Sequence, residues 1–377
     1  MIRPGTVNAC KSYATEDDEF YRKQLITYLG NKRRLLPFIA DGVNHIRSRL
    51  GGKRLRSYDA FAGSGVVSRF LKSCSCELYS NDLELYAAVL GRCYLTNRSA
   101  LPELQLPQRH AELLQAIRDE WAPGLIADLY APQDDAHIRP GERVFYTRRN
   151  AVYLDTARRV IARMPKALQP YFLAPLLSEA SVHTNTGGVF KGFYKSAHGV
   201  GQFGGRGKQA LERITAPIEL PLPIFSRFEC ACHVMQGDAA QSARLLPELD
   251  MAYLDPPYNQ HPYGSNYFML NLLSEYTPPA RISPVSGIPV EWNRSPYNKR
   301  AHVQTALSEL LAALPCKFVL LSYSTEGLLQ RSEIEHLVRE DWRVCVLEQH
   351  YPVYRASRNL RARTQQVSEL LFVLERR

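Results

Sequence analysis

Leu55-Arg56-Ser57-Tyr58-Asp59-Ala60-Phe61 reads as a strand, Ala62-Gly63-Ser64-Gly65 as a tight turn, and Val66 to Leu71 as a helix. A strand, a glycine turn and a helix in direct succession open a doubly wound nucleotide-binding sheet. Glycine lets the backbone approach a ligand closely, so Gly63 and Gly65 are candidate contacts. A second strand, Glu77 to Ser80, runs into Asn81-Asp82. An acid at that place can take two ribose hydroxyls. The strand pattern resumes at Phe228 to Met235, continues through Leu245-Leu246, Met251 to Leu254 and Lys317 to Tyr323, and ends with Trp342 to Leu347 and Leu370 to Leu374. Strands alternate with helices on both sides of a long middle stretch, which predicts an α/β class.

The apolar run Met251-Ala252-Tyr253-Leu254 ends in Asp255-Pro256-Pro257-Tyr258. Two prolines fix φ and remove two backbone donors. The loop is therefore stiff and its carbonyls are left to accept hydrogen bonds. With a carboxylate to accept and a ring to stack, it suits a planar group that carries an NH2, such as the exocyclic amine of a nucleobase. The plainer alternative is a proline turn that caps a strand.

The chain has 377 residues, long enough for one large domain with an insertion or a second domain. No apolar stretch approaches the roughly 20 residues that span a bilayer, and Met1-Ile2-Arg3-Pro4-Gly5 lacks the apolar core of a secretion signal. A cytoplasmic protein without a membrane span is expected. The eight cysteines include two C-x-C pairs, Cys74/Cys76 and Cys230/Cys232. That spacing is shorter than usual for zinc, so no metal and buried thiols are expected.

Net charge is +10, and its placement matters more than its size. Between Arg139 and Arg213 thirteen Lys and Arg stand against four acids. Clustered positive charge points to a polyanion, of which nucleic acid is the commonest; the alternative is a solvated helix face. Within this stretch, Gly187 to Gly207 holds eight glycines interleaved with Phe190, Lys191, Phe193, Tyr194, Lys195, Phe203 and Arg206. Such a backbone can follow a phosphate chain and stack on bases, or serve as a flexible connection. Residues 1–22 read as a loose arm.

In their joint order these segments resemble the D12-class adenine-N6 DNA methyltransferases. Tyr28-Leu29-Gly30-Asn31-Lys32 is similar to that family's first cofactor motif and Asp59-Ala60-Phe61-Ala62-Gly63-Ser64-Gly65 to its glycine motif. Asn81-Asp82 looks like its ribose-binding acid, and Asp255-Pro256-Pro257-Tyr258 like its catalytic loop. Tyr263-Gly264-Ser265-Asn266-Tyr267, Ser322-Tyr323-Ser324 and Tyr354 to Arg361 are similar to segments of a subset of the group. The resemblance implies a Rossmann-like seven-stranded sheet and S-adenosylmethionine as cofactor. It implies a catalytic domain over 23–96 and 228–377, interrupted by a largely helical and loop target-recognition insertion over 97–227. Tyr28, Lys32, Asp59, Phe61, Asp82 and Asp255 would contact the cofactor, with Asp238 near its adenine.

An adenine N6 lone pair is delocalised into the ring and is a poor nucleophile. The Asp255 side chain and the Pro256 carbonyl are assigned as two acceptors that draw both N–H groups toward tetrahedral geometry, and orientation supplies much of such a rate. Tyr258 would stack on the base. The target must leave the duplex, at a cost of a few kcal/mol, which basic contacts to phosphate would offset. Candidates for DNA contact are Arg148, Arg149, Lys191, Lys195, Asn266 and the arginines Arg355, Arg358, Arg361 and Arg363. The expected partner is double-stranded DNA, together with a cognate restriction endonuclease, for a monomer or dimer of bacterial, archaeal or phage origin. RNA adenine-N6 or DNA cytosine-N4 transfer, and a DNA-binding relative that has lost catalysis, stay open as alternatives.

Overall fold

The computed structural model describes residues 16–352 and 366–377. Seven strands form one sheet: β1 (Leu55–Asp59), β2 (Ser75–Asp82), β3 (Ala231–Gln236), β4 (Leu249–Leu254), β5 (Cys316–Ser324), β6 (Trp342–Pro352) and β7 (Gln366–Arg376). Their order is β3-β2-β1-β4-β5-β7-β6. β1 to β5 run parallel, while β7 is antiparallel to both β5 and β6 and lies between them. The seven-stranded α/β expectation holds. Leu245-Leu246 is not a strand; it forms a turn after the helix Ala239–Ala243, with Leu245 exposed.

The central strands are apolar without alternation because both faces are covered. Met251 to Leu254 and Phe318 to Ser324 are buried throughout. On one face the helix Leu36–Arg49 sets Phe38, Ile39, Val43 and Ile46 against Leu320, Leu371 and Val373. It lies so close at Gly42 that a Cβ there would meet Leu320 and Leu371 at 2.7 Å. The helices Ala239–Ala243 and Val303–Ala313 cover the opposite face.

The stretch between β2 and β3 is helical, with Leu106–Asp119, Arg148–Ala162 and Gln169–Val182 as its main elements. Its core is continuous with the helix Leu85–Tyr94 that follows β2 and with Phe268–Glu275 beyond β4. The glycine-rich stretch is an organised loop. Buried Asn185 donates to the Val144 carbonyl at 2.8 Å and accepts from Gly204 N at 3.0 Å, and Lys195 bridges Gly201.

Two smaller expectations are corrected. The segment Asp18–Arg22 is a helix whose Phe20 is buried, so this part of the arm is docked; residues 1–15 lie outside the described ones. Arg69, itself buried, ties it down by donating to the carbonyls of Phe20, Lys23 and Gln24. The cysteines are not uniformly buried: Cys230 is, but Cys76 is exposed on the outer part of β2. Among the described residues no group of His, Cys, Asp and Glu is placed to hold a metal, and no helix is long and apolar enough to cross a membrane.

Strand order reverses between β1 and β4, and there the carboxyl-terminal loops of a parallel sheet part to leave a crevice. Ala60 N donates to the Tyr253 carbonyl at 3.1 Å, so the loops after β1 and β4 begin side by side.

Candidate active site

A cavity occupies this crevice, with about 1070 Å³ of empty space partly open to solvent. Of the sequence candidates, Tyr28, Lys32, Phe61, Gly63, Asp82, Asp238, Asp255 and Pro257 line it. The segment 293–298, which ends in the short helical turn Pro296–Asn298, forms another wall, and Asn298 donates to the Asn259 carbonyl at 2.7 Å, joining that wall to the loop after β4.

The glycine turn brings backbone to the cavity floor. Gly63 has φ +54, and a Cβ there would stand 2.9 Å from the Tyr28 ring. Gly63 N donates to Asp82 Oδ2 at 2.8 Å and Glu84 N to Oδ1 at 2.9 Å. A carboxylate offers about four acceptor sites, so Asp82 keeps acceptor capacity for a ligand. Burial pushes this carboxyl up to about 6 despite those backbone bonds. At the other end, Phe61 meets Tyr297 edge to face at 5.0 Å, and Asp238 caps the helix Ala239–Ala243 by accepting from Ala240 N and Gln241 N, both at 3.0 Å. An apolar slot with acids at its margins results.

Asp255 lies at the inner end. Its side chain is 18% exposed, and Oδ1 is 3.1 Å from Lys32 Nζ without hydrogen-bond alignment. Lys32 is buried and is also 2.7 Å from Glu369 Oε1 on β7, which accepts a further bond from the Ser322 hydroxyl on β5. Burial raises the Asp255 carboxyl to about 6; Lys32 lowers it and Glu369 raises it. Burial alone would lower Lys32, but Asp255 and Glu369 outweigh that and hold the ammonium charged. The Tyr258 ring lies beside it, 5.4 Å from ring centroid to Lys32 Nζ. No described residue donates a hydrogen bond to the Pro256 carbonyl.

Tyr28 stacks on Tyr263 (5.0 Å, 19°) and on Tyr267 (4.7 Å, 21°). Leu29 N donates to the Tyr267 hydroxyl and Tyr263 donates to the Leu29 carbonyl, so the segment before Lys32 is clamped to the helix after the β4 loop.

Several candidates sit elsewhere. Asp59 ends β1 but does not line the cavity: its carboxylate is turned inward, accepts from Ser68 Oγ at 2.5 Å, and is pushed by burial up to about 7. Gly65 makes the turn, at φ +78 before the helix Val66–Cys74, and not the cavity wall. Arg148 is held inside the helical stretch by the Ala127 carbonyl at 2.7 Å, whereas Arg149, Lys191 and Lys195 are exposed. Asn266 is buried, and its carbonyl accepts from Phe190 N at 2.7 Å, so it faces no solvent. Arg355, Arg358, Arg361 and Arg363 lie outside the described residues.

The sequence reading missed Glu369, Tyr263 as a cavity wall, and Glu84. Glu84 is buried, accepts from Asn271 and Asn293, and is pushed by burial up to about 7. An isolated acid that adjoins an uninterrupted apolar strand, as Glu369 adjoins Leu370 to Leu374, is the signal that finds such a residue.

Most of the chain is similar to known methyltransferases. It is 27% identical to the type II methyltransferase M.CviAII of Paramecium bursaria Chlorella virus 1, over 92% of this chain and 97% of that one. It is 26% identical to the type II methyltransferase M.NlaIII of Neisseria lactamica, over 93% and 99%. The modification methylase LlaI of Lactococcus lactis subsp. lactis matches at 26% identity over 83% of this chain and 48% of its own length. Residues 28–283, from the Tyr28 stack past the Asp255 loop, match the D12 class of N6 adenine-specific DNA methyltransferases, and the chain belongs to that family.

Proposed function

We propose that this adenine-specific DNA methyltransferase takes its methyl group from S-adenosylmethionine held in the cavity, and delivers it to the N6 amine of an adenine rotated out of duplex DNA. The observation that carries this reading is the joining of Asp255 to the cavity wall: one carboxylate stands at the end of the slot and at the mouth of the proline loop. The residues fit such a donor. Asp82 would take the ribose hydroxyls, Phe61 and Tyr297 would hold the adenine ring, and the acids of the inner end would favour a positive sulfur. When bound, that sulfonium supplies an activated methyl group, so the protein has only to orient and deprotonate the amine.

Asp255 and the Pro256 carbonyl accept the two N–H bonds of the target amine and localise its lone pair. Rigid prolines hold the two acceptors in fixed relation, which is where much of the rate arises. The proton released as nitrogen becomes positive passes to Asp255, whose raised pKa suits it to take a proton near neutrality. Tyr258 stacks on the extruded base.

In this reading residues 97–227 form the target-recognition part and 23–96 with 228–377 the catalytic part. Arg149, Lys191 and Lys195 contact phosphate. The protein works in the cytoplasm beside a cognate restriction endonuclease, a setting in keeping with its type II and modification-methylase relatives.

The test is to express the chain in cells that lack adenine methylation and to sequence their DNA with a readout of modified bases. N6-methyladenine at one short motif is expected. In the purified protein Asp82→Ala should weaken S-adenosylmethionine binding by about tenfold or more; an unchanged dissociation constant removes Asp82 from the site.

A further inference from the structure

Glu369 is an acid the sheet does not need. It is paired in register with Ser324 on β5 and is 1% exposed, and its side chain leaves the strand to reach Lys32 and Ser322. Its second oxygen, Oε2, is buried with no hydrogen-bond partner. One ammonium therefore stands between two carboxylates. A Lys32–Asp255 pair alone would be formally neutral; with Glu369 the cluster carries one negative charge in excess, and burying uncompensated charge is costly.

We infer that Glu369 is a positioning residue for methyl transfer: it holds the Lys32 ammonium back from Asp255, leaving Asp255 able to accept from the target amine, and it keeps the inner end of the cavity net negative. This rests on the reading that the cavity takes S-adenosylmethionine and that Asp255 receives the amine. The geometry supports both halves. Lys32 makes its shorter contact, 2.7 Å, with Glu369, and its contact with Asp255 is longer, 3.1 Å, and unaligned. An ammonium fully engaged with Asp255 would take up one of its acceptor sites and draw charge from the others, weakening the carboxylate as an acceptor for the amine.

The excess negative charge acts on what the cavity binds. S-adenosylmethionine carries a positive sulfur, and S-adenosylhomocysteine, the product left after transfer, carries a neutral one. In the reaction the carbon–sulfur bond breaks as the carbon–nitrogen bond forms, positive charge passes to nitrogen, and a proton then leaves it. A fixed negative cluster at this end favours the charged donor over the neutral product.

Asp255 is faced by Lys32, by Glu369 on β7, by Tyr253 on β4, by Asp59 on β1, by Tyr258 in its own loop and by Tyr263 in the following helix. Lys32 is the one cation among them. Neutralising Glu369 removes a like charge, so the Asp255 carboxyl should titrate at lower pH.

The experiment uses the full chain with Glu369→Gln, Glu369→Asp and Ser322→Ala. Binding of S-adenosylmethionine and S-adenosylhomocysteine is measured by calorimetry, and single-turnover methyl transfer to DNA is followed from acidic to neutral pH. Glu369→Gln should reduce the preference for the charged compound by about tenfold, slow transfer, and move the acid limb of the pH–rate profile to lower pH. Glu369→Asp should recover part of the preference. If Glu369→Gln does not fold, Ser322→Ala carries the same test with a smaller shift in the same direction. Equal weakening of both compounds with an unmoved acid limb would mark Glu369 as structural only and overturn the inference, as would wild-type behaviour. A wild-type protein that binds neither compound overturns the parent reading, and this one with it.

Discussion

At the carboxyl edge of the sheet stand Asp59, Asp82, Glu84, Asp255 and Glu369, with the buried ammonium of Lys32 between the last two. In the helical stretch before β3, thirteen Lys and Arg stand against four acids in the sequence between Arg139 and Arg213. The two regions use their surplus charge differently. The acids lie in or beside the cavity, and burial raises Asp59, Asp82, Glu84 and Asp255 above the ordinary carboxylate range. Many of the cations are joined to main-chain carbonyls: Arg158 holds Leu273 and Ser274, Arg159 holds Ala122 and Pro123, and Arg213 holds Val182 and Thr184. A large part of the basic surplus is therefore mortar between helices. The share left to meet a polyanion is carried by exposed residues such as Arg149, Lys166, Lys191, Lys195 and Lys208.

The contrast can be broken in order of expected effect. Asp255→Ala should lower methyl transfer by about 10³-fold or more and leave DNA binding nearly intact in a mobility-shift titration. Turnover within a few-fold of wild type would remove the pocket's chemistry from Asp255. Arg158→Ala should cost about 2–4 kcal/mol of stability in a denaturant melt. Its guanidinium is buried against the carboxyl end of the helix Phe268–Glu275, where a cation is also favoured by the helix dipole. A melt that does not move would mean that the interior arginines are not structural. The smallest effect belongs to the exposed loop. Lys191→Ala with Lys195→Ala should leave the melting midpoint unchanged and flatten the salt dependence of DNA affinity by about two in the log–log slope. An unaltered slope would make that loop a connector.

The fold was legible because strands buried on both faces leave unbroken apolar runs. Met251 to Leu254 and Phe318 to Leu321 cannot be read otherwise in a chain that alternates strand with helix. The site was legible where a backbone constraint leaves a residue signature, as at Gly63 and the two prolines after Asp255. It was opaque where function depends on which way a side chain turns. Asp59 and Asp82 are both acids at strand ends, yet Asp59 points to Ser68 and Asp82 to the cavity. Arg148 and Arg149 are neighbours in a basic run, yet only Arg148 meets the Ala127 carbonyl. Asn266 lies in the segment Tyr263 to Tyr267 that is similar to part of the family, yet it is buried and its main-chain carbonyl accepts from Phe190 N. No periodicity in a sequence reports these contacts, because they depend on which way each side chain turns.

The position of β7 has a consequence for how this molecule comes into being. It is translated after the six other strands, yet it enters the interior of the sheet between β5 and β6. A nascent chain that already displays Lys32 and the proline loop still lacks the strand that brings Glu369. Until β7 pairs with β5 and β6, Lys32 has no Glu369 beside it, and the inner end of the cavity is incomplete.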